Sequence, residues 1–251
     1  MVSHANLIAN ATQTIFIRHL NRPRPLKAER WIGFLPLYHA YGQLYSCLIA
    51  LKLNTPVYVM KAFVYRDFLQ GIQDYRITTL QLAPPVLVML SKRPETKEYD
   101  ISSVTDVLCG AAPLSKELQN DCSRKYGFNI VQAWGMTEVT CGGISMAGGD
   151  VDDTGSIGLL LPNTECKLLD DDGREVKVGE PGELFLRGPQ VCLGYWRNEA
   201  ATKETLGSDG WLKTGDVAVC NEKGLFWIVD RKKVGFCETV IDGMLMGLGT
   251  Y

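Results

Sequence analysis

The amino-acid sequence predicts an α/β fold, with a mostly parallel sheet flanked by helices and then a small β-barrel-like subdomain. Two observations support this prediction. From about residue 30 to residue 135, short apolar segments alternate with segments of helical periodicity, which is typical of parallel strands joined by helices. From about residue 155, glycines and turn residues cluster between short strands. A chain of 251 residues is long enough to bury a sizeable core.

The first part of the chain shows the alternation directly. A first helix is expected over residues 4–19, before Arg22-Pro23-Arg24-Pro25 breaks the chain. Strands are expected at residues 31–35, 57–60, 78–82, 104–108 and 130–131. Helices are expected between them, up to about residue 52, near 65–75, from Pro84-Pro85 onward and near 115–126.

The second part of the chain reads as antiparallel strands. They are expected at Glu165–Leu169, Glu183–Leu186, Val217–Cys220 and Leu225–Val229. Asp171-Asp172-Gly173 and Glu222-Lys223-Gly224 are typical of hairpin turns. The expected organisation is an α/β subdomain over residues 1–150, a β-rich subdomain over 151–230, and a hinge remnant with a divergent tail over 231–251.

Composition and charge argue against several classes of function. The net charge of −2 offers no basic surface for nucleic acid. No segment approaches the roughly 20 apolar residues that span a bilayer, so no transmembrane segment is expected. The eight cysteines and three histidines form no zinc pattern, and reduced thiols in a cytoplasmic protein are expected. A peroxisomal location stays open for a longer form, although the last three residues carry no targeting tripeptide.

A polar cluster lies between apolar segments at Gln132-Ala133-Trp134-Gly135-Met136-Thr137-Glu138. Gly135 lets the chain approach a ligand, the Thr137 hydroxyl can donate, and the Glu138 carboxylate can hold a metal. This combination suits a nucleotide phosphate that carries Mg²⁺. By composition alone, a polar turn with a surface glutamate is the commoner explanation.

Two further residues would complete a nucleotide site if they meet this cluster in space. Asp216 can accept hydrogen bonds from two ribose hydroxyls, and Arg231 can offer a charged fork. Their spacing spans two strands and a hairpin, so both side chains are expected at the same edge of the sheet. A turn aspartate and a surface salt bridge are the alternatives.

Through these and other motifs, the sequence resembles the adenylate-forming (AMP-binding) ligases. This family includes acyl- and aryl-CoA synthetases, 4-coumarate-CoA ligases, luciferases and peptide-synthetase adenylation domains. The similarity runs from Met1 to about Lys233, in the order of the family's motifs. The segments that carry it are Met1-Val2-Ser3-His4-Ala5-Asn6-Leu7, Leu35-Pro36-Leu37-Tyr38-His39-Ala40-Tyr41-Gly42, Gly110-Ala111-Ala112-Pro113-Leu114, Trp134-Gly135-Met136-Thr137-Glu138, Gly182-Glu183-Leu184, Gly188-Pro189-Gln190, Gly194-Tyr195, Gly210-Trp211-Leu212-Lys213-Thr214-Gly215-Asp216 and Asp230-Arg231-Lys232-Lys233.

The resemblance implies a role for each predicted site residue. Thr137 would contact the α-phosphate and Glu138 would hold Mg²⁺, and with His39 they are the expected catalytic residues. Nucleotide contacts are implied for Gly110, Ala111, Ala112, Gln132, Trp134, Gly135, Thr137, Asp216 and Arg231. A pocket for the acid is implied for Tyr38, His39, Tyr41, Gly135 and Met136. The alternatives are a strand-to-helix loop chosen for its geometry at 110–112 and a histidine packed in an aromatic wall at 39.

The implied activity is that of an ATP-dependent carboxylic acid:CoA ligase, which forms an acyl-adenylate and uses ATP, Mg²⁺ and coenzyme A. Aromatic residues around His39 favour a flat or long apolar acid. Peptide-synthetase relatives usually place an aspartate in this segment. None occurs between Leu35 and Ala50, so amino-acid activation is the weaker alternative.

The resemblance also raises an expectation about the two ends. Family members carry a lysine-bearing phosphate loop before the segment that matches Val2-Ser3-His4, and a small mobile domain with a catalytic lysine after the hinge. The sequence matches neither, and the similarity ends after Lys233. We therefore expect a form truncated at both ends. A catalytically inactive fragment with weak nucleotide or acyl binding is the alternative function, and the tail after residue 234 is expected to be poorly ordered.

Overall fold

The computed structural model describes residues 1–23 and 27–232. These residues form two compact units that are interleaved along the chain. The first, here called the α/β unit, comprises residues 27–131 and 151–154. The second, here called the β-rich unit, comprises residues 1–23, 132–150 and 155–232.

The subdomains expected from the sequence are continuous segments, 1–150, 151–230 and 231–251, whereas the units of the structure are interleaved. Units defined by compactness do not test these boundaries along the chain, so the three expected subdomains stay a prediction. The tail that was expected to be poorly ordered lies outside the described residues.

The α/β unit is built on a parallel sheet in which the strand order is β2-β1-β3-β4. Its strands are β1 (Trp31–Gly33), β2 (Val57–Val59), β3 (Thr79–Leu82) and β4 (Asp106–Cys109). The chain then begins β5 (Asn129–Gly135), where the backbone N–H of Asn129 donates to the Thr105 carbonyl at 2.8 Å. Strand β5 starts in the α/β unit and ends in the β-rich unit.

Helices connect these strands, as the alternating pattern predicts. They are α2 (Ala40–Gly42), a π-helical segment (Gln43–Ile49), α3 (Ala50–Lys52), α4 (Tyr65–Tyr75), α5 (Pro84–Lys92), a 3-10 helix (Pro94–Glu98) and α6 (Lys116–Tyr126). In α4 the buried residues Tyr65, Phe68, Leu69 and Ile72 follow helical spacing, so one face packs into the core. Helix α6 ends at Gly127, whose φ of 74° supplies the left-handed C-cap.

The β-rich unit starts with α1 (His4–His19) and contains two groups of antiparallel strands. The end of β5 pairs with β6 (Gly142–Ser145), which pairs with β7 (Leu159–Leu160). A four-stranded sheet has the order β11-β10-β9-β8. Its strands are β8 (Glu165–Leu169), β9 (Gly182–Arg187), β10 (Leu212–Cys220) and β11 (Phe226–Arg231). A 3-10 turn (Thr137–Val139) and helix α7 (Glu199–Thr205) complete the described elements of this unit.

The hairpin between β10 and β11 contains a bulge. Asp216 lies opposite Arg231 and Val217 lies opposite Asp230, but Ala218 lies opposite Ile228. Val229 is therefore an extra residue on β11, and the register of the hairpin changes at this point. The bulge separates the end of the hairpin that carries the predicted site residues from the end that packs into the core through Ala218 and Phe226.

The structure confirms the predicted fold class, a mostly parallel sheet flanked by helices and followed by an antiparallel β-rich part. Helix α1, helix α4 and strand β8 have the predicted bounds. Strands β6 and β7 and helix α7 were not predicted. Among the described residues, no helix combines the length and the hydropathy needed to cross a membrane.

Candidate functional site

The end of β5 leads into a short turn that carries Thr137 and Glu138. Thr137 is exposed and Glu138 is half-buried. The Tyr195 hydroxyl donates to Oε1 of Glu138 at 2.6 Å, and the backbone N–H of Cys192 donates to the Glu138 carbonyl at 2.8 Å. Burial, reinforced by the bond to Glu138, raises the pKa of Tyr195 to about 12, so the hydroxyl keeps its proton at neutral pH. The turn therefore presents the Thr137 hydroxyl together with a carboxylate that Tyr195 and Cys192 hold in position.

The same turn ends on a strained residue. Thr140 has a φ of 68°, which is rare for a β-branched side chain. Its hydroxyl donates to the Gln190 carbonyl at 2.7 Å, and both groups are buried. Backbone strain of this kind persists only where surrounding contacts enforce it, and it often accompanies functional sites.

Gly135 is required here by the packing of the protein itself. A Cβ atom at this position would lie 1.6 Å from the carbonyl oxygen of Cys141. The sequence suggested that this glycine lets the chain approach a phosphate. The structure shows a different close approach, between β5 and the chain that enters β6, and Met136 packs against the core of the same unit.

A buried carboxylate links three strands of the β-rich unit. The indole N–H of Trp134 donates to Oδ2 of Asp216 at 2.9 Å, and Nε of Arg231 lies 3.5 Å from Oδ1 of Asp216. Asp216 is 7% exposed, whereas the Arg231 side chain is 45% exposed. Burial raises the pKa of Asp216, while the Trp134 bond and the charge of Arg231 oppose that rise. Asp216 and Arg231 thus meet at one edge of the sheet, as the sequence predicts.

In the α/β unit, His39 caps the start of α2. Its Nδ1 accepts a hydrogen bond from the backbone N–H of Tyr41 at 3.2 Å. A nitrogen that accepts carries no proton, so the neutral ring has its proton on Nε2. Burial lowers the pKa of His39, which favours this neutral form. His39 therefore offers one N–H donor of defined position.

The two tyrosines beside His39 are in different environments. Tyr38 is 92% exposed, whereas Tyr41 is buried and its hydroxyl donates to the Leu108 carbonyl at 2.9 Å. Leu108 lies in β4, two residues before Gly110. The Tyr41 bond therefore connects the segment around His39 to the loop that follows β4.

The loop after β4 contains Gly110, Ala111 and Ala112. The backbone N–H of Gly110 continues the parallel ladder by donating to the Leu82 carbonyl at 3.1 Å. Ala111 has a φ of 71°, the left-handed conformation that an alanine adopts at a cost of roughly 1–2 kcal/mol. Ala111 is exposed and its small side chain leaves the loop surface open.

The structure places the predicted residues in two groups, one in each unit. The β-rich unit holds Gln132, Trp134, Gly135, Met136, Thr137, Glu138, Asp216 and Arg231, and the α/β unit holds Tyr38, His39, Tyr41, Gly110, Ala111 and Ala112. Sequence reasoning gave Tyr195 and Gln190 no role, although both lie in the quoted motifs. Nothing local marks Tyr195 as a partner of Glu138, because 57 residues separate them.

The donors and acceptors present fit a nucleotide. Asp216 has one protein donor near each oxygen, so lone pairs remain for sugar hydroxyls, and the partly exposed Arg231 side chain carries further N–H donors. Among residues 1–23 and 27–232, which the structure describes, no group of three His, Cys, Asp or Glu side chains could hold a metal ion. A single carboxylate, such as Glu138, suits Mg²⁺ that is held mainly by phosphate and water oxygens.

Comparisons with known proteins support the same assignment. A protein-family model described as "AMP-binding enzyme" matches residues 1–196. The chain is 35% identical over 235 residues to a probable 4-coumarate–CoA ligase 1 of Dictyostelium discoideum, covering 92% of this chain and 42% of that protein. It is 36% identical to a 4-coumarate–CoA ligase-like protein 3 of Arabidopsis thaliana, with the same coverage. The chain thus spans less than half the length of these relatives.

Solved structures lead to the same fold. ATP-bound MatB from Rhodopseudomonas palustris superposes with a TM-score of 0.81 at 27% identity, covering 93% of this chain and 45% of that one. O-succinylbenzoate coenzyme A synthetase from Bacillus subtilis, in complex with ATP and magnesium, gives a TM-score of 0.74 at 26% identity, covering 92% and 46%. Together with the family match over most of its length, these similarities show that the chain belongs to the AMP-binding enzyme family.

Proposed function

We propose that the protein is an ATP-dependent carboxylic acid:CoA ligase, present here as about two fifths of the length of its relatives, and that it acts through an acyl-adenylate. The observation that carries the proposal is the buried Asp216 carboxylate, held between Trp134 and Arg231. A buried carboxylate with free lone pairs beside a partly exposed guanidinium suits a ribose, whose two hydroxyls donate to the same group.

The turn at Thr137 and Glu138 supplies groups for the phosphates. The exposed Thr137 hydroxyl donates to a phosphate oxygen, and Glu138 would hold Mg²⁺ together with phosphate oxygens. Bound Mg²⁺ offsets the negative charge that opposes attack by a carboxylate on the phosphate. The Tyr195 bond to the carboxylate and the Cys192 bond to the backbone carbonyl hold Glu138 in place before a nucleotide binds.

The α/β unit supplies the residues for the base and the acid. Gly110, Ala111 and Ala112 form a loop of small residues, exposed at Ala111, on which a flat adenine ring can lie. Gln132 and Gly135 of the β-rich unit are the further proposed nucleotide contacts. The Nε2–H of His39 donates to the carboxylate of the acid. Tyr38 is a further proposed contact for the acid, and the buried Tyr41 supports this segment through Leu108. Gly135 and Met136 of the β-rich unit are also proposed to contact the acid.

Coenzyme A is the proposed acyl acceptor, and a flat or long apolar carboxylic acid is the proposed substrate. Relatives named 4-coumarate–CoA ligases and acyl-CoA synthetases support this class. A cytoplasmic location is part of the same proposal, and imaging of a tagged protein in its native cell checks it.

The deciding experiment is carboxylic-acid-dependent exchange between ATP and pyrophosphate, with a panel of aryl and fatty acids. Exchange should exceed that of a Glu138→Ala variant. Glu222→Ala is the matched control, because it removes an exposed carboxylate from the turn between β10 and β11. Exchange by the wild type and by Glu222→Ala, but not by Glu138→Ala, supports the proposal and identifies the acid.

The second candidate is a catalytically inactive chain that binds nucleotide or acyl ligand weakly. The 42% coverage of the relatives favours it, because groups elsewhere in those proteins can be needed for turnover. Calorimetric titration with AMP separates the two candidates. The second function would be assigned if the wild type binds AMP, Asp216→Ala does not, and no carboxylic acid supports exchange between ATP and pyrophosphate.

A further inference from the structure

Tyr195 contacts the predicted metal-binding carboxylate, although the proposed chemistry gives it no task. Its hydroxyl donates to Oε1 of Glu138 at 2.6 Å. A tyrosine hydroxyl has one proton, and a carboxylate can only accept, so that proton is directed at Glu138.

The segment that carries Tyr195 is held rigidly on several sides. The side-chain amide of Asn6 donates to the carbonyls of Pro189 and Val191 at 2.8 and 2.9 Å. Thr140 donates to the Gln190 carbonyl, and the backbone N–H of Cys192 donates to the Glu138 carbonyl. The segment 189–195 therefore forms a fixed wall behind the turn that contains Glu138.

The backbone around Tyr195 is equally constrained. Gly194 has a φ of 117°, and a Cβ atom there would lie 2.5 Å from Cγ2 of Thr202. The N–H of Tyr195 donates to the Thr202 hydroxyl at 2.9 Å. Only glycine fits at position 194, and the turn it makes delivers the Tyr195 ring toward Glu138.

We propose that Tyr195 is a positioning residue for Glu138, which fixes this carboxylate for a nucleotide-bound divalent cation. The inference rests on the proposed function, because it takes Glu138 as the residue that holds Mg²⁺. Groups that orient a metal ligand typically change metal affinity by about 10- to 100-fold when they are removed. Tyr195→Phe should therefore weaken cation binding while leaving metal-free nucleotide binding unchanged.

The test uses the full chain with Mn²⁺ as a paramagnetic probe, titrated at a fixed concentration of ATP and followed by electron paramagnetic resonance. Tyr195→Phe should lower the affinity of the protein–ATP complex for Mn²⁺ about ten-fold, and ATP binding in EDTA should stay within two-fold of the wild type. Tyr126→Phe is the matched control, because its hydroxyl donates to the backbone carbonyl of Leu90 in the α/β unit. It should leave Mn²⁺ affinity unchanged.

Hydrogen exchange of residues 137–139 and of Cys192 tests the positioning without any nucleotide. Faster exchange in Tyr195→Phe, at unchanged global stability, supports the proposal even if the wild type binds no ATP, in which case the proposed function alone fails. Glu138→Gln keeps an acceptor for Tyr195, so it should retain exchange protection and lose Mn²⁺ binding. The inference would be overturned if Tyr195→Phe matched the wild type both in Mn²⁺ affinity and in the amide hydrogen-exchange rates of these residues.

Discussion

Trp134 and Asp216 are 82 residues apart in the chain and are joined by a buried hydrogen bond of 2.9 Å. The bond ties the end of β5 to the middle of β10. It connects the polar turn at Thr137 with the proposed ribose-binding carboxylate. Trp134, which is predicted to contact the nucleotide, thus donates in the structure to the carboxylate that is proposed to bind the ribose.

Replacing Trp134 with phenylalanine should weaken both the fold and the proposed nucleotide site. The ring is largely kept, but Asp216 loses its shortest protein donor, and a bond to a charged group contributes about 1.5–3 kcal/mol. Urea unfolding should show a loss of this size, and AMP affinity should fall about ten-fold. In the control Trp31→Phe, an indole bond of 2.7 Å to Glu29 is lost in the α/β unit. Trp31→Phe should lose stability but keep its affinity for AMP. Equal losses of AMP affinity in Trp31→Phe and Trp134→Phe would contradict the prediction.

The stability of the protein should carry a pH signature from Asp216. Its folded pKa is raised above 3.8 by burial, so its contribution to stability is full below pH 3.8 and is lost as pH rises through the folded pKa. Asp216→Asn does not ionise and still accepts from Trp134. Relative to the wild type, the variant should gain in free energy of unfolding between about pH 3.8 and neutrality. A difference that is flat or opposite in sign over this range would show that burial does not dominate.

Gly135→Ala should damage the fold much more than an ordinary glycine substitution. Its Cβ would lie 1.6 Å from the Cys141 carbonyl oxygen, and the pairing of Gly135 with Gly142 between β5 and β6 keeps the two segments from moving apart. We expect a loss of more than about 3 kcal/mol or failure to fold. Gly173→Ala is the control for backbone strain alone, because its φ is 77° with nothing within 4 Å of the new Cβ. It should cost about 1 kcal/mol in the same denaturation experiment.

Lys232 should stabilise the end of β11 through a buried acid. Its Nζ lies 3.3 Å from Oε2 of Glu183 and 2.6 Å from Oδ1 of Asp171. Glu183 is 5% exposed, and its other oxygen is only 3.9 Å from the Lys213 ammonium. Lys232→Met should cost about 1 kcal/mol, reduced by the solvent exposure of the lysine, whereas Lys232→Arg should retain most of the stability. Equal melting curves for the wild type and Lys232→Met would contradict this.

The thiols should be slow to react in the folded protein. The cysteines among the described residues are free, and burial raises the pKa of Cys141 to about 12 and that of Cys166 to about 11. Burial also raises the pKa of Cys109 far above the usual range. Since the thiolate is the reactive form, iodoacetamide at pH 8 should label these three residues only after urea is added. Peptide mapping by mass spectrometry checks the prediction, and rapid native labelling of Cys141 would refute it.

Much of the fold was predictable because its signals are local. The helical spacing of Tyr65, Phe68, Leu69 and Ile72 is sufficient to define α4, and the alternating segments define the parallel sheet. Strand β7 has only two residues, too few for a periodic pattern. The placement of Asp216 and Arg231 at the same edge of the sheet was also predictable, because turn residues locate the hairpin. Their position directly opposite each other depends on the bulge at Val229, which was not predicted.

The contacts behind the site were less predictable because they link distant parts of the chain. The bond from Tyr195 to Glu138 depends on how a loop and a turn pack together, and no spacing in the sequence reports it. The role of Gly135 was predicted from its size, but the structure shows that its close neighbour is Cys141. Residue type indicates what chemistry a side chain can perform, while packing determines which group it meets.

The extra residue Val229 makes the length of β11 as important as its composition. Deleting it would let β10 and β11 pair without interruption and would leave Asp230 opposite Val217 and Arg231 opposite Asp216. If Val229 were kept and the strands paired without the bulge, Asp230 would instead lie opposite Asp216, which would set two carboxylates against each other. A chain that lacks Val229 is therefore expected to keep the Asp216–Arg231 pair, whereas a chain that has Val229 keeps this pair only together with the bulge. The bulge thus determines which charge lies opposite the Asp216 carboxylate.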